Sequence, residues 1–133
     1  MRSRILYISA HRDDARDLAQ MLEGLPLILD HVGTLHHART MLRQNDYDVI
    51  LTEARVPDGS WKDVLHLARE CPRELEVIIT DPQADARLWA EALNLGAYDL
   101  VAQPFYRPEV RRILYNACCR PAYEYGRLAA AAG

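Results

Sequence analysis

Cysteine is scarce, with three in 133 residues. The number is odd, Cys118 and Cys119 are adjacent, and CxxC spacing is absent, so neither the disulfide framework of a small secreted domain nor a redox pair is expected. The adjacent pair reads as helix packing in a reducing cytoplasm. The six glycines are scattered with no GxGxxG or phosphate-loop grouping, which argues against a nucleotide enzyme. An excess of positive charge is also missing. Sixteen Lys and Arg against nineteen Asp and Glu give a net charge of -3, leaving no basic face for nucleic acid. The apolar run within Met1 to Ala10 is short, and Asp13 and Asp14 follow at once, so neither a signal peptide nor a membrane span is expected. His36 and His37 are neighbours on a helix and point about 100° apart, a poor metal pair, so they are assigned to the surface.

What is present is a single-domain length and a hydrophobic content of 50%, enough to fill one core. The stretch from Asp48 to Gly59, DVILTEARVPDG, organises the rest. Asp48 to Thr52 is too short and too β-branched for a helix and reads as a buried central strand. Glu53 stands where that strand ends, and Pro57 with Gly59 supplies the turn into the next helix. An acid at the carboxyl end of a strand beside a loop is where open α/β sheets place binding and chemistry.

Alternation runs through the whole chain. Ile5 to Ile8 is an inner strand. A helix follows with Ala15, Leu18, Ala19 and Leu22 at helical spacing, Asp13 or Asp14 as its cap and Gly24 at its end. Leu27 to Val32, interrupted by Asp30 and His31, suits an edge strand. Thr34 caps a helix striped by Leu35, Ala38, Met41 and Leu42. Ser60 with Asp63 forms a capping box ahead of Trp61, Val64, Leu65 and Ala68, and Pro72 stops that helix. Val77 to Thr80, a helix over Asp85 to Leu95 closed by Gly96, and Leu100 to Ala102 come next. The last helix carries Pro108 in its first turn and Val110, Ile113, Leu114 and Ala117 on its apolar stripe. The fold class is α/β, a doubly wound sheet of five parallel strands with five helices. Residues 1–120 form this domain, and 121–133 are a tail: a helix extension, a linker or a frayed end.

The order of elements, the segment DVILTEARVPDG, the strand ending at Thr80 and the stretch GAYDLVAQPF from Gly96 to Phe105 resemble the receiver domain of bacterial two-component response regulators, the CheY-like, flavodoxin-like fold. The resemblance covers roughly Arg4 to Arg120 and implies strand order 2-1-3-4-5. In that family an aspartate ending the third strand accepts a phosphoryl group, two acids after the first strand hold magnesium, a hydroxyl ends the fourth strand, and a lysine precedes proline after the fifth. Carried over, Glu53 takes the acceptor position, Ser9 and Ala10 the acidic pair, Thr80 the hydroxyl and Gln103 the lysine. The same likeness implies a cis peptide between Gln103 and Pro104.

Those substitutions remove charge where the chemistry needs it. Magnesium wants hard oxygen ligands with carboxylates among them, so its binding is expected to be lost or very weak, and no other cofactor is expected. Gln103 cannot neutralise a transferring phosphoryl group, and the extra methylene of Glu53 displaces the attacking oxygen. The pattern resembles a degenerate receiver, or pseudo-receiver, with no catalytic residues and no enzyme activity. Glu53 reads equally as a satisfied polar strand end or as a fixed stand-in for the phosphorylated acid. His11, Arg12 and Asp13 sit in the loop beside the same site, either pairing with Glu53 or exposed without a role, and Arg55 is a further neighbour.

The implied function is protein recognition within a signalling pathway, without phosphorylation, through the face of the fourth helix, fifth strand and fifth helix. Trp89, Leu93, Leu95 and Tyr115 supply apolar surface there, Leu100 takes the family's aromatic switch position, and Asp99 with Arg111 and Arg112 could pair across a homodimer. Partners are thus a signalling protein or a second copy, not nucleic acid or membrane. Two alternatives stand beside this reading: a regulator modified by an unusual donor or at another residue, and a small α/β enzyme using Glu53 with Thr80 or His11.

Overall fold

A computed structural model describes residues 2–119; the expected tail and Pro121 lie outside the described residues. The strands β1 (Ser3–Ile8), β2 (Leu27–Val32), β3 (Val49–Glu53), β6 (Glu76–Asp81) and β7 (Asp99–Ala102) form one parallel sheet in the order β2-β1-β3-β6-β7. This is the expected 2-1-3-4-5 order of the main strands, with β2 at the edge. The helices α1 (Arg12–Met21), α2 (Leu35–Gln44), α3 (Trp61–Glu70), α4 (Ala86–Asn94) and α5 (Arg107–Cys119) cover both faces.

Side chains alternate across each strand, so the sheet separates two cores. Leu6, Ile8, Ile50 and Ile79 pack with residues of α2, α3 and α4, including Trp61 and Val64. Ile5, Tyr7, Leu51 and Ile78 pack on the other face with Leu18 of α1 and Ile113 and Leu114 of α5. Cys118 joins this second core, and burial pushes its thiol up to about 12, with the charge of Asp48 adding to the effect. The packing role expected of it holds.

The polar residues that interrupt β2 are internal ties. Asp30 accepts from Arg4 Nη2 at 2.8 Å and from the Tyr47 hydroxyl at 2.6 Å. His31 Nε2 donates to the Ser9 carbonyl at 2.8 Å. Thr34, Asp85 and the Ser60–Asp63 capping box begin α2, α4 and α3 as their sequences require. The start of α1 differs. His11 occupies its cap position without a side-chain cap bond, and Asp13 and Asp14 lie inside the first turn, where they favour the positive helix end instead of satisfying a donor.

The segment after Glu53 is more ordered than a turn. A short antiparallel ribbon forms from β4 (Arg55–Val56) and β5 (Gly59–Ser60). Asp58 at its tip accepts from the backbone N–H groups of Leu35 (2.8 Å) and His36 (3.0 Å), fastening the ribbon to the start of α2. Gly59 is needed for space, not for a turn conformation: a Cβ there would collide with the Leu35 side chain.

Asp58→Ala is expected to cost about 1 kcal/mol, the ordinary worth of a helix cap. The bonds from Leu35 N–H, chief among the causes, lower the Asp58 pKa. Its contribution is therefore complete above the unfolded carboxylate value near ~3.9 and is lost as pH falls through the depressed folded value. Melting temperatures of the two proteins should differ at neutral pH and converge in strong acid. A constant gap at every pH would remove the ionised cap from the account.

Candidate functional site

Glu53 ends β3 in register with Thr80 of β6 and is 7% exposed. A carboxylate this buried needs donors. It finds them in the loop after β1: Ala10 N–H donates to Oε1 at 2.9 Å, and His11 Nδ1 lies 3.3 Å from Oε1 and 3.2 Å from Oε2. A carboxylate only accepts, so the Nδ1–H tautomer faces it. The pairing of His11 with Glu53, one of its two sequence readings, is the one observed. Asp14 Oδ2 stands 3.9 Å from the same nitrogen. Because the His11 side chain is largely exposed, this pair is worth only about 0–1 kcal/mol; the backbone donor is the firmer hold.

The other expected site residues are brought to the same end of the sheet. Ser9 is buried, its Oγ accepting from His11 N–H at 3.0 Å in a tight local turn. Ala10 is exposed. Thr80 is fully buried, and its hydroxyl has no hydrogen-bond partner among the described residues. Gln103 is half-buried, its N–H donates to the Asp81 carbonyl at 3.2 Å, and its bond to Pro104 is cis, as expected. Arg12 is exposed and has no hydrogen bond or ion pair with Glu53, whereas Arg55 lines a cavity of about 650 Å³ with Glu53, Trp61, Lys62 and Asp81.

Two residues here escape sequence reasoning. Lys62, the only lysine of the chain, enters this cavity but is committed to Glu91 at 2.7 Å. Tyr7 lies on β1 under the site. Its hydroxyl sits near Ser9 and Gln103 without meeting either in hydrogen-bonding geometry, and burial drives its pKa well above the ordinary phenol value, helped by the charges of Glu53 and Asp14. One aromatic in an otherwise aliphatic strand was the available signal. Among the described residues, no group of three or more His, Cys, Asp or Glu side chains is placed to hold a metal ion together. With Ser9 Oγ engaged locally and Glu53 turned to the Ala10 amide, the residues present do not fit magnesium.

The expected interaction face needs correction. Trp89, Leu95 and Tyr115 are exposed, but Leu93 and Leu100 are partly buried, and Leu100 packs against the core. Arg111 is not free for a partner: it donates to the carbonyls of Met21 (3.0 Å) and Glu23 (2.7 Å) and so closes the end of α1. Asp99 accepts from the neighbouring Leu100 N–H at 2.7 Å, leaving Arg112 as the exposed member of the proposed ion pairs. Tyr106, missed in the sequence, is the most exposed large hydrophobic residue among the described residues, at 66%.

The same fold occurs in a solved structure. The signal receiver domain of a LuxO repressor protein from Vibrio parahaemolyticus matches 88% of this chain and 90% of its own, with TM-score 0.81 and 21% identity. The fold is that of a CheY-like receiver. The receiver of NtrC4, solved as a beryllofluoride-activated dimer, matches 86% of this chain and 92% of its own with TM-score 0.73 and 23% identity. Among curated proteins, the response regulator PilR of Pseudomonas aeruginosa is 25% identical over 109 residues, which is 79% of this chain and 24% of that protein. The receiver-like chain thus spans about a quarter of the length of this relative. No family model matches it.

Proposed function

We propose that this chain is the receiver-like part of a cytoplasmic signalling protein and that it works by protein recognition without phosphorylation of the acceptor position. One observation carries the reading: the Glu53 carboxylate is occupied by the Ala10 amide and His11, while positions 9, 10 and 103 are neutral. A receiver that accepts phosphate needs a free carboxylate, a bound divalent ion and a cation for the transferring group. Here the acceptor's bonds are internal and the donor set for the ion is missing. The site is a fixed structural polar cluster with no enzymatic role.

Recognition falls to the exposed aromatics Trp89, Tyr106 and Tyr115 with Leu95, amphipathic rings of the kind that anchor interfaces. The partner is another signalling protein or a second copy of the chain. The NtrC4 receiver dimer lends support to self-association as one form this takes. Neither a membrane nor nucleic acid is a partner in this reading; among the described residues no helix is long and apolar enough to cross a bilayer.

Incubation with acetyl phosphate and magnesium, followed by intact-mass measurement, tests the reading. The mass is expected to stay unchanged. A stoichiometric phosphoryl adduct would retire the proposal, and mapping it to Glu53 or to another residue would say which alternative replaces it.

A further inference from the structure

At the end of the sheet opposite Glu53, where α2 and α3 finish, a cleft of about 540 Å³ opens between the two helices. Its walls are mainly apolar, with Leu42 from α2, Leu67 from α3 and Leu75 from the approach to β6. Arg39 and Arg43 of α2 also line it, and both are exposed. Four residues apart, they lie one turn above each other on the same helix face. Neither has an ion-pair or hydrogen-bond partner among the described residues. The third arginine of the lining, Arg73, is engaged by Asp48 at 3.0 Å and Asp46 at 3.9 Å, which leaves the exposed Glu70 as the remaining acid. The cleft therefore joins an apolar floor to two uncommitted guanidinium groups. Cavities of roughly 300–1,000 Å³ with apolar walls and few polar groups are the usual form of small-molecule sites.

We propose that this cleft binds a free amphiphilic carboxylate, its head held by Arg39 and Arg43 and its aliphatic body laid on Leu42, Leu67 and Leu75. Charge selects the head. Guanidinium forks match a carboxylate in a planar, two-bonded arrangement, and a pair of them without acidic partners attracts an anion where Arg73, already neutralised, does not. Apolar area selects the body, with roughly fourfold in affinity for each methylene buried. Nothing in the site around Glu53 takes part, so the outcome for this cleft and the outcome for phosphorylation are independent.

Calorimetry and amide chemical-shift mapping with octanoate, butanoate and octanol test this on the full chain. Octanoate should bind saturably, with shifts confined to the ends of α2 and α3 and the approaches to β3 and β6. Octanol should bind at least ~10-fold more weakly for want of the charge, and butanoate, four methylenes shorter, ~250-fold more weakly for want of the chain. The Arg39→Gln, Arg43→Gln double variant should lose ~10-fold in octanoate affinity while melting as the parent does, since both residues are exposed. Absence of saturable octanoate binding, binding indifferent to the double substitution, or shifts centred elsewhere would each overturn the site. Vesicles of phosphatidylglycerol distinguish a free ligand from a lipid surface. No co-sedimentation is expected, and salt-sensitive recruitment lost in the double variant would replace this proposal with a membrane contact.

Discussion

Glu53→Asp alone is expected to leave the protein without phosphate after incubation with acetyl phosphate and magnesium. The substitution shortens the arm to that of the family's acceptor, and a displacement of ~1 Å can by itself be worth ~100-fold in rate. It does not supply charge. Magnesium would still meet the Ser9 hydroxyl and the Ala10 methyl, and the phosphoryl group would still meet the neutral Gln103. Adding Ser9→Asp and Ala10→Asp should bring back metal affinity first, measurable by calorimetry with magnesium. Three carboxylates crowded at one end of the sheet favour a divalent ion, and without it their repulsion raises at least one pKa. The buried position 9 tolerates the change because an Asp side chain can accept the His11 N–H that Ser9 Oγ accepts now. Gln103→Lys should then raise the extent of transfer. Phosphorylation of the single Glu53→Asp variant at an ordinary receiver's rate would show that length, not charge, is what the site lacks, and the recognition-only reading would fall.

Tyr7 offers the largest expected effect on stability, and its two substitutions should differ sharply. Tyr7→Ala removes a fully buried ring that packs edge-on against Phe105 at 6.2 Å, and should cost about 3–5 kcal/mol. That is a large part of the ~5–15 kcal/mol that holds a domain of this size together. Tyr7→Phe keeps the ring and removes a hydroxyl that has no hydrogen-bond partner among the described residues. Since an unsatisfied buried hydroxyl carries a penalty of about 1–3 kcal/mol, Tyr7→Phe should be neutral or stabilising. Denaturant unfolding of the two variants decides the matter; a loss above ~1 kcal/mol for Tyr7→Phe would mean that the hydroxyl is bonded after all.

The same residue shapes the alkaline limit. Burial, the main cause, raises the folded pKa of Tyr7, so above the unfolded value near ~10 the unfolded chain releases its proton first, and stability falls as pH rises toward the folded value. Tyr7→Phe should soften that decline without abolishing it, because Tyr47 is raised as well, by burial and by its bond to Asp30.

The sequence by itself determined the architecture. Apolar runs for inner strands, one-sided helices, the caps at Thr34, Ser60 and Asp85 and the breakers at Gly96 and Pro72 are local signals, and each acts within a few residues of where it is written. The position of Glu53 at a strand end was legible for the same reason, and so were the neutral residues at 9, 10 and 103. What only the tertiary structure decided are the bonds between segments far apart in the chain. That Glu53 would be held by Ala10 and His11, that Arg111 would close α1 and not face a partner, and that Asp58 would cap α2 from a ribbon 22 or 23 residues away all depend on which loops meet. The spare capacity of a side chain follows the same rule: Lys62 and Arg73 are spent on acids from other elements, while Arg39 and Arg43 are not. Local pattern sets where each element begins and which face it buries. Only packing sets which polar groups are left over, because a charged side chain reaches whichever partner the fold brings within a few ångströms.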